Sequence, residues 1–151
     1  MSAEGLFVAG PSADRPLFFP DVEDLLAAFL SARDGFGGVS VGPVLPPDFD
    51  GTGRAVVLTR LGGRYRQDDS VDEALVRVDS YAPGKPASQA LARAVRGVLP
   101  LLPMIEHAGG VVVSDVDEHQ GPCWSPDRRH GDADRYLMKY RLNIAIHPIP
   151  A

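Results

Sequence analysis

The densest run of chemically capable side chains lies between residues 115 and 134, where Asp115, Asp117, Glu118, His119, Cys123, Asp127, His130, Asp132 and Asp134 occur together. His119, Cys123 and His130 offer two imidazoles and a thiol, the donor types that zinc collects tetrahedrally. Their spacing matches neither CxxC nor HExxH, the short patterns that force two ligands to one side of a turn or helix. A nucleophilic role for Cys123, with His119 or His130 as its base, is chemically conceivable. The sequence has no nucleophile elbow and no glycine-rich loop opening into a helix to accompany it. The stretch therefore reads as a polar loop, with a small metal-dependent enzyme or ligand-binding domain as the alternative. No catalytic residue, metal ligand or cofactor is assigned.

A second set of residues suits contact with other proteins. Arg60, Arg64, Tyr65 and Arg66 stand beside Asp68 and Asp69, and Trp124, Pro126, Arg128 and Arg129 follow further on. Arginine and aromatic side chains are enriched at the centres of protein interfaces. These eight are the expected interface residues, although Trp124 could instead cap the local core, where tryptophans are mostly buried.

The elements that must carry these loops are legible from periodicity. Asp134 to His147 alternates for longer than any other stretch. Tyr136, Met138, Tyr140, Leu142, Ile144 and Ile146 fall on one face of a strand, and Lys139, Arg141, Asn143 and His147 on the other. Gly110 to Glu118 supplies a partner strand, and the loop GPCWSPDRRHGDAD would close the two into a long hairpin. Asp21 to Arg33 reads as a helix, with Val22, Leu25, Leu26, Phe29 and Leu30 in one stripe. Asp21 is its expected N-cap, Glu23 and Asp24 favour its first turn, Arg33 its last, and Gly35 is placed for the left-handed C′ position.

Val39 to Val44, Ala55 to Leu61 and Ala74 to Tyr81 read as further strands. The charged stretch GGRYRQDDSVDE between the last two is either a β-arm or a mobile loop. Ala87 to Leu99 is a second helix, with Leu91, Val95, Val98 and Leu102 in line and Ala94 and Leu99 flanking. Ser88 is its expected N-cap, or Pro86 its N1 residue in an earlier start, and Pro100 and Pro103 end or kink it. The fold class is α+β, a mostly antiparallel sheet with two helices packed on one side and long hairpin loops. Residues 21–148 form one domain, preceded by a segment of residues 1–20.

That first segment holds two apolar clusters, Leu6-Phe7-Val8 and Leu17-Phe18-Phe19, separated by a polar turn region. It is expected to be a partly ordered tail or an edge strand, or else an arm that packs on a neighbouring subunit. The first ten residues carry Glu4 in place of the basic n-region of a secretory leader. No apolar run approaches the roughly 20 residues of a membrane span.

Composition narrows the function classes. The 151 residues are 44% hydrophobic and 23% charged, as in an ordinary soluble domain. A single cysteine excludes an intrachain disulfide. The net charge of -5 argues against a protein that grips nucleic acid by phosphate neutralisation.

The run GPCWSPD at residues 121–127, followed by Arg135-Tyr136 and an alternating strand ending in His147-Pro148, resembles the carboxy-terminal signature of tail terminator (tail completion) proteins of long-tailed phages, especially those of actinobacterial hosts. The resemblance extends more weakly from Pro20 onward. It implies a homo-oligomeric ring, usually a hexamer, at the head-proximal end of the tail tube. Such a ring ends tube polymerisation and contacts the tail tube protein on one side and the head-tail connector protein on the other. Six copies would carry 6 × (-5) = -30 charges, a field that repels phosphates and lets DNA pass through the lumen without specific binding. The location implied is the virion, with assembly in the host cytoplasm and no membrane. Another neck component, a head completion or connector protein, is the nearest alternative. The segment before Pro20 and the RRHGDAD stretch depart from the family pattern.

Overall fold

A computed structural model describes residues 15–149. The elements in chain order are β1 (Leu17–Phe18), α1 (Val22–Ser31), β2 (Val39–Gly42), β3 (Arg54–Arg66), β4 (Val71–Tyr81), α2 (Lys85–Val98), β5 (Val113–Trp124), β6 (Arg135–Ala145) and β7 (His147–Pro148). Five strands form one sheet in the order β2-β3-β4-β6-β5, and β1 pairs with β7 in a separate two-stranded ladder. All pairings are antiparallel except β2 with β3. Both helices cover the same face, so the architecture is the α+β sandwich with helices on one side.

The core follows from the alternation of β6. Tyr136, Met138, Tyr140, Leu142 and Ile144 are all buried, together with Val76 and Val78 of β4 and Val56 and Leu58 of β3. Onto them α1 brings Val22, Leu26, Phe29 and Leu30, and α2 brings Leu91, Ala92 and Val95. The opposite face holds a much smaller cluster, Ala55, Val57, Tyr81 and Ala133, flanked by Leu45 and Phe49.

Asp21 caps α1 as its sequence predicts, its side chain accepting from the amides of Glu23 at 2.9 Å and Asp24 at 3.2 Å. The helix is shorter than expected and closes at Ala32. Arg33 then donates to Phe29 O at 3.1 Å, and Gly35 takes its positive φ of 87° in the turn beyond rather than at C′. In α2 the N-cap is Gly84, with Pro86 in the first turn. Ser88 is not the cap: it lies inside the helix, fully buried, and donates to Lys85 O at 3.0 Å. Ala92, not Ala94, completes the buried stripe. Beyond α2 the prolines do not end helical winding at once, because Leu99–Met104 continues as a 3₁₀ turn that buries Leu99 and Leu102.

Several strands run differently from their sequence reading. β3 and β4 extend through most of GGRYRQDDSVDE, so this stretch is a β-arm. β5 begins later and ends later than expected, and GPCW lies within it rather than in a loop. Its register slips at Val113/Asp115, Glu118/Gln120 and Gln120/Cys123. β6 stops at Ala145, and the chain then redirects His147 and Pro148 to pair with Phe18 and Leu17. Arg15 adds a hydrogen bond to Ile149 O at 3.1 Å. Of the expected amino-terminal segment, residues 1–14 lie outside those described.

Candidate partner-binding surfaces

The structure separates the two sets of expected interface residues. In the pairing of β4 with β6, Val71 faces Ala145 at one end and Tyr81 faces Arg135 at the other. The arm with Arg64, Tyr65 and Arg66 therefore sits at the first end of the sheet. Trp124, Pro126, Arg128 and Arg129 sit at the second, about 33 Å away by the rise of ten strand residues. They do not form one patch.

At the arm end most of the arginines are already engaged. Arg60 grips buried Asp72 through two bonds of 2.7 Å, and its backbone N–H donates to Glu23 of α1 at 2.7 Å. This ties the arm root to the helix and makes Arg60 a structural residue as much as a surface one. Arg66 pairs with Asp69 at 2.9 Å and with Glu73 at 2.8 Å, and Arg64 pairs with the same Glu73 at 2.9 Å. The bond from Arg64 and the charge of Arg66 hold the Glu73 carboxyl below its usual pKa. Tyr65 packs in a T-shaped arrangement with Phe19, their ring centroids 5.1 Å apart. The arm ends in a turn whose Gln67, Asp68 and Asp69 make an acidic tip, with Asp69 paired to Arg66.

The second end is built on a buried polar network. Tyr81 Oη donates to Asp127 at 2.7 Å, His130 Nδ1 lies 2.9 Å from the same carboxylate, and the Arg129 amide donates to its other oxygen at 3.1 Å. Burial pushes the Asp127 carboxyl up, but these hydrogen bonds prevail and its pKa falls below the ordinary value. Asp79 nearby is the opposite case. Desolvation outweighs Arg77 and Arg135, and its pKa is raised. Arg77 Nε stands 3.0 Å from Asp79 Oδ1 but off the direction of a hydrogen bond, leaving both atoms buried without a partner. Above this network a cleft of about 800 Å³ opens between the proline-rich segment after β2 and the loop after β5, with Phe49, Tyr81, Arg128 and Arg129 among its walls. Arg128 and Arg129 are exposed on a short 3₁₀ turn, Arg128–His130. Trp124 is neither core nor bare surface: it is 45% exposed, and Lys85 Nζ sits 4.3 Å over its ring.

The potential metal and nucleophile residues do not converge. Among the described residues no group of three or more His, Cys, Asp and Glu side chains is placed to hold a metal ion. His119 turns to Asp117 at 3.6 Å, and His130 belongs to the Asp127 network. Cys123 is exposed, with its Sγ 4.0 Å from Trp124 O. Among the described residues no helix is long and apolar enough to cross a membrane.

The sequence reading missed the cleft. Its signal was present in β4, where Arg77, Asp79 and Tyr81 share the face turned away from the helices, but their partners Asp127 and Arg135 come from β5–β6 and only topology brings them together.

Fold and surfaces together define a small α+β protein whose distinctive features are charged loops, an arm and open clefts. The chain matches the model of the phage tail termination protein family over residues 18–129, most of its length, and belongs to that family. The match begins in β1 and includes the GPCWSPD run. It makes the chain a structural protein of the phage tail, located in the virion. No curated protein matches it.

Proposed function

We propose that this protein caps the head-proximal end of the tail tube as a hexameric ring, ends tube polymerisation and forms the surface on which the head-tail connector docks. The observation that carries the reading, beside family membership, is the placement of two unlike polar surfaces at opposite ends of one continuous sheet. A terminator has two axial partners, the tail tube protein and the connector, and needs a rigid body between two separate contact surfaces. The arm tip with Arg64, Tyr65 and Arg66 is assigned to one partner, and Trp124, Pro126, Arg128 and Arg129 to the other. The ring's summed negative charge leaves DNA free to pass without specific binding. Heterologous contacts that close a ring are compatible with a weakly associating free subunit.

The test adds purified protein to polymerising tail tube protein. Tubes that stop growing, each with an added ring at one end by electron microscopy, support the proposal. Tubes that keep growing while the protein binds isolated connector would assign it to another part of the neck.

A further inference from the structure

Beside β1 the surface opens into an apolar cleft of about 620 Å³, walled by Phe19, Leu25, Ala28, Phe29, Ile105 and Val111. Phe18 and Phe19 are 41% and 45% exposed, and the apolar surface continues to Met104 and Val112, which are 79% and 55% exposed. The two adjoining clefts share Ile105 and Val111, and an apolar surface of this kind in an acidic protein marks a binding site. Its chemistry calls for an apolar, extended occupant.

The sequence contains such an occupant outside the described residues. Leu6-Phe7-Val8 precedes Arg15 by a short polar spacer containing Gly10 and Pro11. The direction of β1 decides which copy receives it. Between Arg15 and Phe19 the chain runs towards the cleft, because Phe18, Phe19 and Pro20 line it while Arg15 is fastened to Ile149 at the far end of the ladder. Followed back towards the amino terminus, the described chain is therefore directed away from its own cleft where it reaches Arg15. From Arg15 back to Leu6 the chain can reach about 30 Å when extended, enough to cross to an adjacent subunit.

We propose that Leu6-Phe7-Val8 of one copy seats in the cleft between α1 and residues 105–111 of its neighbour, so that the amino-terminal segment is an exchanged arm linking successive subunits. The inference rests on the ring reading above and names the contact that closes the ring.

Two populations of the full chain test it, both carrying Cys123→Ser, one with Phe7→Cys and the other with Ala108→Cys. After mixing at ring-forming concentration and mild oxidation, a disulfide joining positions 7 and 108 can arise only between chains. Its recovery as the main disulfide species by peptide mass mapping, and loss of the ring in a Phe7→Asp variant that keeps its thermal midpoint, is the expected result. The absence of that disulfide, or a ring undiminished by Phe7→Asp, overturns the arm exchange. Tube capping by the same Phe7→Asp protein would show that the terminator reading survives that failure.

Discussion

Gly63 is the position where a single methyl group should separate the arm from the sheet. Its φ is 110°, and a Cβ built there falls inside the contact distance of Glu73 O, 2.9 Å from Glu73 C and 3.2 Å from Ala74 Cα. All three are backbone atoms of the paired strand, so no rotamer change can relieve the overlap. Gly62 next to it has a φ of 129° but open space around its missing side chain. Gly62→Ala should therefore cost only conformational strain, about 1–3 kcal/mol. Gly63→Ala has to push β3 off β4 from Gly63↔Ala74 through Arg66↔Val71. Beyond Val57 this part of β3 has no second neighbour, since β2 pairs only with Arg54 to Val57, so it can peel without dismantling the core. Losing about four ladder bonds at about 0.5–1.5 kcal/mol each amounts to about 2–6 kcal/mol. For a chain of this length that lowers the thermal midpoint by at least about 4 °C. Thermal unfolding read by circular dichroism, with amide exchange of residues 64–66, measures both consequences. If Gly63→Ala melts within about 1 °C of the parent, or residues 64–66 keep their protection, the steric argument is wrong.

Leu26, 1% exposed against the sheet, should cost about 2–5 kcal/mol on replacement by alanine, seen as a lower denaturant midpoint at unchanged slope. Tyr81→Phe removes the donor to Asp127 and leaves a buried acceptor short of a bond, at about 1–3 kcal/mol near neutral pH. Because the folded-state pKa of Asp127 is depressed, this stabilisation is present above the ordinary carboxylate value of about 3.9 and disappears as pH falls through the folded value. The gap between parent and Tyr81→Phe should accordingly narrow below about pH 4 in a series of denaturation curves; a gap constant with pH would exclude Asp127 as its origin. Trp124→Ala should change stability by less than about 1 kcal/mol, the size of an exposed cation–π contact, while impairing tube capping or connector binding. Full activity in both assays would remove Trp124 from the contact surface.

How far the sequence discloses this structure depends on the range of the interaction involved. Asp21, Glu23 and the apolar stripe of α1 lie within a few positions of one another, and the helix starts where they indicate. The burial of Tyr136 to Ile144 follows from a period of two that no tertiary contact needs to correct. Ser88 misled because the backbone can begin α2 earlier, at Gly84 with Pro86 in the first turn, and burying the serine hydroxyl against Lys85 O satisfies it locally. The extent of β5 was hidden by Gly121-Pro122, which look like turn residues. Proline is tolerated on an edge strand, and the register slip between Gln120 and Cys123 accommodates the pair. The polar surfaces were the least legible. Arg60 and Asp72 meet across twelve positions, Tyr81 and Asp127 across forty-six, and no local pattern records such a meeting.

The borders of the large sheet restrict how subunits can join. On one side β2 covers only Arg54 to Val57 and runs into Pro43, which leaves Leu58 to Arg66 of β3 as a border broken by the irregularity between Arg60 and Gly62; on the other β5 slips register three times along its length. Neither border is a regular ladder along its whole length, and irregular edges are how natural sheets resist open-ended strand addition. Such borders favour contacts made through side chains over strand addition. A sheet bounded in this way is guarded against polymerising through its own edges.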